Sequence, residues 1–210
     1  MFILNKVKNI TKGTRHKIVR IIAPNLYKDY LSLLERNNEI PRPMVVFLKE
    51  YFKDKLLVGC EIGVSEGLNS LSILNELNIK ELYLVDPYAP YFQEGKCLDY
   101  SKAEGIAHKR FKEYKGKVIW VKEYSESAVK NIKSPLDFCY IDGNHQYLNV
   151  VDDISNYFPL IKQGGVIGGH DFNGNYLGVC RAVIEFSQKT KLVLQTKKND
   201  WWTIKEEMGK

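Results

Sequence analysis

From Leu56 onward, short continuous apolar runs alternate with stretches whose apolar residues recur every three or four positions. The runs are Leu56–Ile62, Glu81–Val85, Val118–Val121, Leu136–Ile141 and Gly165–Gly169. Apolar residues throughout a short run are the pattern of strands buried on both faces of a sheet. The periodic stretches Leu68–Leu77, Lys102–Tyr114, Ser125–Asn131 and Leu148–Ile161 predict helices between them. Strand–helix alternation implies parallel strands joined by right-handed crossovers, a doubly wound layer structure. A helix over Leu177–Gln188 then precedes two closing strands, Leu192–Thr196 and Trp201–Lys205, with Asn199–Asp200 as their tight turn. The expectation is an α/β fold of Rossmann-like type: a seven-stranded, mostly parallel sheet with a C-terminal antiparallel hairpin and helices on both faces. Upstream, Pro41 and Pro43 interrupt the chain after a helical pattern at Tyr27–Asn37, so residues 1–43 read as an appendage. Residues 44–210 read as the main domain, opened by a short helix over Met44–Phe52.

Charge changes the picture at one place. The 210-residue chain carries a net charge of +6, and Lys6, Lys8, Lys12, Arg15, Lys17 and Arg20 supply all of it, with no acidic residue in the first 22 positions. A neutral main domain disfavours nucleic acid as a partner; only the arm is basic. With Ile18, Val19, Ile21 and Ile22 as an apolar face, the arm suits peripheral contact with an anionic surface, although a solvated extension explains it as well. An appendage of this kind also suits a homodimer contact or a cover over the substrate. No apolar run reaches the ~20 residues of a membrane span, and Met1–Leu4 is too short for a signal-peptide core. Cys60, Cys97, Cys139 and Cys180 form no CxxC pair, and two of them sit in strand-like runs, which suits free thiols in a reducing compartment. A cytoplasmic protein is expected.

In an open α/β sheet, ligands bind beyond the carboxyl ends of the strands, where strand order reverses. The first run ends in Glu61-Ile62-Gly63-Val64-Ser65-Glu66-Gly67, with Asn69 and Ser70 following. Gly63 suits a tight turn, and Gly67 permits close approach at the start of the next helix. The spacing is not the dinucleotide GxGxxG, and there is no Walker lysine. Twenty-odd residues on, the second run ends in Asp86, placed to accept ribose hydroxyls; a turn former before Pro87 is the plain alternative. Later come Asp137 to Asp142, then Gly143-Asn144-His145-Gln146-Tyr147, and Gly164-Gly165-Val166-Ile167-Gly168-Gly169-His170-Asp171.

Taken in order, ExGxxxGxxS, LVDPY and these two later segments resemble a class I S-adenosylmethionine (SAM)-dependent methyltransferase. The subgroup is that of the macrolide-sugar and catechol-type metal-dependent O-methyltransferases, and the likeness spans roughly residues 56–206. It implies that Glu61 and Gly63, with Gly67, line the methionine end of SAM, that Asp86 holds the ribose and that Ser125 meets adenine. For Ser125 a helix N-cap is the alternative reading. It further implies that Asp142 adjoins the cofactor and, with Asp171 and His170, holds Mg²⁺ or a similar divalent cation. His145 would act as general base beside Asp142. One position departs from the subgroup: His170 stands where an acidic residue precedes the last aspartate. The implied activity is methylation of a hydroxyl on a small molecule, sugar or glycan, with a non-catalytic SAM- or nucleotide-binding protein as the alternative. The aromatic segment Pro87–Tyr100 is expected either to cover the ligand or to pack on itself.

Overall fold

The computed structural model describes residues 40–93 and 95–206. The basic arm and most of the appendage therefore lie outside the described residues. Residues 41–210 belong to one compact unit.

Pro43 supplies the fixed φ that suits the first turn of α1 (Pro43–Phe52), and Arg42, extended before it, stands at the N-cap. β1 (Leu57–Ile62) and β6 (Leu136–Ile141) are buried at every position, as continuous apolar runs require. β2 (Ile79–Val85), β5 (Val118–Val121), β7 (Ile161–Gly169), β8 (Gln195–Lys197) and β9 (Asp200–Ile204) complete a seven-stranded sheet of order β5-β2-β1-β6-β7-β9-β8. The first five strands are parallel; β9 runs antiparallel to both β7 and β8. Strand order thus reverses between β1 and β6, which pair from Gly59–Phe138 to Ile62–Ile141.

The helices cover both faces. α1, α2 (Leu68–Glu76) and α3 (Ala103–Arg110) enclose one core of Met44, Leu48, Ile73, Leu82, Phe138 and Trp202. α4 (Ser125–Ala128), α5 (Tyr147–Tyr157) and α6 (Leu177–Thr190) enclose the other, with Cys60, Ile62, Cys139, Ile154, Val183 and Trp201. Cys60 and Cys139 are free, buried thiols, as the strand pattern implies.

Three details differ from the sequence expectation. β7 begins at Ile161 rather than Gly165, because Pro159 ends α5 in a 3₁₀ turn over Phe158–Leu160 and releases the chain early. Pro87–Tyr100 contains a small antiparallel hairpin, β3 (Tyr91–Gln93) and β4 (Lys96–Leu98), which packs on itself with Tyr91 stacked on Tyr100. The closing turn lies at Lys198–Asn199, with Lys198 at φ 55°, so Asp200 is the first residue of β9 and fully buried. No helix of the described residues is long and apolar enough to cross a membrane.

Candidate functional site at the strand-order reversal

Parallel strands deliver their carboxyl ends to one edge, and three residues there adopt an unusual backbone conformation. Ser65 after β1, Tyr88 after β2 and Asp171 after β7 all take positive φ (50°, 49° and 61°) without being glycine. Such conformations cost about 1–3 kcal/mol each and persist where surrounding contacts impose them. Gly63 (φ 83°) is required twice over: a Cβ there would lie 2.0 Å from the Asp142 carbonyl oxygen. The β1 turn and the end of β6 are therefore in direct backbone contact, and Asp142 N donates to Ile62 O at 2.8 Å. Gly67 (φ 76°) is the N-cap of α2, where any Cβ would run into the Phe111 ring.

Glu61 is buried and turned into the start of α2. Asn69 Nδ2 donates to its Oε1 at 2.9 Å, and Ser70 Oγ donates to its Oε2. Burial raises the Glu61 carboxyl to about 7 despite these two donors. Asp86 joins two loops. Its Oδ2 accepts from Val64 N (2.9 Å) and Ser65 N (2.8 Å), and its Oδ1 from Tyr88 N (2.8 Å). Ser125 is the first residue of α4 rather than its cap, a place taken by Tyr124. Its hydroxyl donates to the carboxyl of Asp153, which burial raises to about 7, and its carbonyl accepts from Tyr157 Oη at 3.0 Å.

The remaining predicted residues meet in one cluster across β6 and β7. His145 Nε2 lies 2.9 Å from Asp171 Oδ2 and 3.8 Å from Asp142 Oδ1, and its ring packs on Tyr176 with centroids 4.4 Å apart. His170 Nδ1 lies 3.2 Å from Asp171 Oδ1 and 3.9 Å from Asp142 Oδ1. Burial opposes a charged His145, but its hydrogen bonds with Asp142 and Asp171 outweigh it and raise the imidazole to about 9. Burial likewise opposes ionised Asp142 and Asp171. Arg42 and His145 overcome it at Asp142, and the two histidines at Asp171, so both carboxyls fall below their usual range. One ligand atom each from Asp142, His170 and Asp171 lie within 4.8 Å of one another. That donor set, two carboxylates and an imidazole at a strand edge, fits a divalent cation.

Sequence reasoning missed three members of this cluster. Arg42 Nη1 donates to Asp142 Oδ2 at 2.7 Å and to Tyr140 Oη at 3.2 Å. Tyr140 Oη donates to Asp200 Oδ1 at 3.0 Å, and Asp200 Oδ2 accepts from Met44 N at 2.9 Å. The loop carrying His145 is also tied to the small hairpin, for Asn144 Nδ2 donates to Phe92 O at 3.2 Å.

A sheet reversing between β1 and β6, with its glycine turn, second-strand aspartate and rim carboxylates at that point, is the architecture of a class I SAM methyltransferase. Comparison with known proteins agrees. Residues 60–172, over half of the sequence, match the methyltransferase domain family, and the chain belongs to it. An uncharacterized protein of Acanthamoeba polyphaga mimivirus is 28% identical over 130 residues, which are 60% of this chain and 56% of that protein. The chain thus spans little more than half the length of this curated relative. Among solved structures, apo CalS11, a TDP-rhamnose 3′-O-methyltransferase of calicheamicin biosynthesis, superposes with a TM-score of 0.63 at 13% identity, covering 91% of this chain and 92% of its own. MycE, a methyltransferase of mycinamycin biosynthesis in complex with Mg and SAH, gives 0.51 at 16% identity over 78% and 50%. At these identities the two structures bear on the fold alone.

Proposed function

We propose that this protein transfers the methyl group of SAM to a hydroxyl of a small-molecule or glycan acceptor, with a divalent cation held by Asp142, His170 and Asp171. The observation that carries the reading is the convergence of Asp142, His145, His170 and Asp171 at the reversal point, beside the glycine turn. SAM supplies an already activated sulfonium methyl, so the protein's task is to align the acceptor oxygen and take its proton. Gly63 keeps backbone clear of the cofactor's methionine end, below which Glu61 braces α2. Asp86 spends three of about four acceptor positions on backbone N–H groups and offers the rest to ribose. Ser125 and Gly67 border the adenine and methionine ends respectively. His145, held between Asp142 and Asp171 and packed on Tyr176, is the group that takes the hydroxyl proton. A cation bound at the three ligands would acidify a coordinated hydroxyl and offset the carboxylate charge that holds His145 protonated.

The test is titration of SAM and S-adenosylhomocysteine (SAH) into the protein, followed by methyl transfer from labelled SAM to a panel of sugar hydroxyls with Mg²⁺ or EDTA. Asp142→Ala is expected to lose at least about 100-fold in turnover while SAH affinity stays within a few-fold. Full turnover in that variant would overturn the site assignment. The Arg42–Asp142 ion pair favours one second reading, a SAM-binding domain without turnover; tight SAH binding with no transfer to any acceptor would select it.

A further inference from the structure

We infer that Arg42 governs cation loading at this rim: it occupies one oxygen of Asp142, lowers the site's charge, and makes tight cation binding depend on an oxygen brought by the acceptor. The inference rests on the reading of Asp142, His170 and Asp171 as cation ligands.

Arg42 is held by three separate restraints. Its backbone is extended at φ −65° and ψ 154°, the conformation imposed on a residue before proline, here Pro43. Its guanidinium donates to both Asp142 and Tyr140 and lies 5.6 Å from the centre of the Tyr140 ring. Tyr140 is itself fixed by Asp200, which also holds the Met44 amide at the start of α1. This arginine is therefore built into the rim. Its burial alone would lower its pKa, but Asp142 and Tyr140 more than compensate, and it stays charged.

Two consequences follow for a cation. First, the oxygens of Asp142 are divided. Oδ2 faces Arg42 at 2.7 Å, whereas Oδ1 faces His145 and His170 at 3.8 and 3.9 Å. Asp142 can give a metal one oxygen and no bidentate grip. Second, affinity for hard cations follows the charge of the ligand set. Asp142 and Asp171 bring two negative charges, His170 stands in place of a third, and Arg42, paired with Asp142 while His145 lies against both carboxylates, offsets one of them. A three-donor site of such low net charge leaves half of an octahedral shell open and holds its ion weakly. The acceptor's oxygen, gaining negative charge as its proton leaves, supplies both the missing ligand and the missing charge.

An independent feature points the same way. Arg42 Nε is buried with no hydrogen-bond partner among the described residues. An unfilled donor on a charged, buried group costs free energy unless something completes it, and it sits on the residue that contacts Asp142.

The experiment is a titration of Mn²⁺, a paramagnetic stand-in for the physiological ion, followed by electron paramagnetic resonance. The full chain is saturated with SAH and no acceptor is present. The wild type is expected to bind weakly, Arg42→Lys similarly, and Arg42→Gln at least about tenfold more tightly because a full positive charge near the ion is gone. SAH affinity measured by calorimetry checks that each variant is folded. If Arg42→Gln fails that check, Arg42→Met, which keeps the apolar stem, serves as the uncharged variant. Equal Mn²⁺ affinity in charged and uncharged variants would overturn the role of Arg42 and leave the cation site standing. No Mn²⁺ binding in any variant that still binds SAH would overturn both the inference and the cation reading beneath it.

Discussion

Asp153 offers a direct test of how α5 packs against the start of α4. It lies on the buried face of α5, 3% exposed, and its one carboxyl partner on the opposite element is the Ser125 hydroxyl. Burial raises its pKa from 3.8 to about 7, with Glu126 and Asp152 adding to the rise and Ser125 opposing it. For a carboxyl whose folded pKa is raised, the native state keeps a proton that the unfolded chain releases. Stability is therefore highest below the unfolded pKa and is lost as pH climbs from about 4 to about 7. Each pH unit in that window costs about 1.4 kcal/mol, so the interval from pH 5 to pH 8 removes roughly 2.5–3 kcal/mol. Asp153→Asn keeps an acceptor oxygen for Ser125 and carries no charge. Its stability relative to wild type should rise by that amount between pH 5 and pH 8, equivalent to about 5–10 °C in melting temperature for a domain of this size. Urea unfolding of both proteins at the two pH values, followed by tryptophan fluorescence, makes the comparison. Glu61 titrates over a similar range but is common to both proteins and cancels in the difference. An equal stability difference at pH 5 and pH 8 would refute the buried-carboxyl argument.

Three further outcomes are expected. Gly63→Ala drives a Cβ into the Asp142 carbonyl at a φ hostile to side chains, so it should cost about 2–4 kcal/mol in urea unfolding and weaken SAH binding in calorimetry. Asp200→Ala strands both the Met44 amide and the Tyr140 hydroxyl, each buried; a loss of about 2–4 kcal/mol is expected, against roughly half that for Asp200→Asn. Phe92, 71% exposed on the hairpin, should tolerate Phe92→Ser within about 0.5 kcal/mol of stability, so any large rise in the acceptor KM of that variant would assign the hairpin to acceptor binding.

Much of the rim was legible because parallel strands convert sequence order into spatial order. Gly63, Asp86, Asp142 and Asp171 each follow an apolar run, and a parallel sheet brings all such positions to one edge. His145 and His170 were legible by adjacency to those aspartates. Arg42 was not, because it precedes the first strand, and no periodicity reports that it reaches a partner 100 positions away. Asp200 misled for a local reason. Asn-Asp after two lysines has the composition of a hairpin turn, but Lys198 takes the left-handed conformation and moves the turn one residue back. Tyr140 reads as one more apolar residue in a buried strand; only its hydroxyl, satisfied by Asp200, makes it part of the polar cluster. The hairpin within Pro87–Tyr100 escaped notice because three-residue strands are too short to show alternation.

The hydrogen bond from Met44 to Asp200 closes a loop of 156 residues. During synthesis the glycine turn, Asp86 and the β6 and β7 carboxylates can all be made while Asp200 is still unmade. Until β9 threads between β7 and β8, Tyr140 has no buried acceptor, and Arg42 has lost the support behind both its neighbours. A contact of such sequence separation forms late, since its closure entropy must be met before it stabilises anything. The nascent chain should therefore assemble the β1 and β2 loops around Asp86 well before Arg42 is held against Asp142, and a stalled chain ending just short of β9 should already bind SAH.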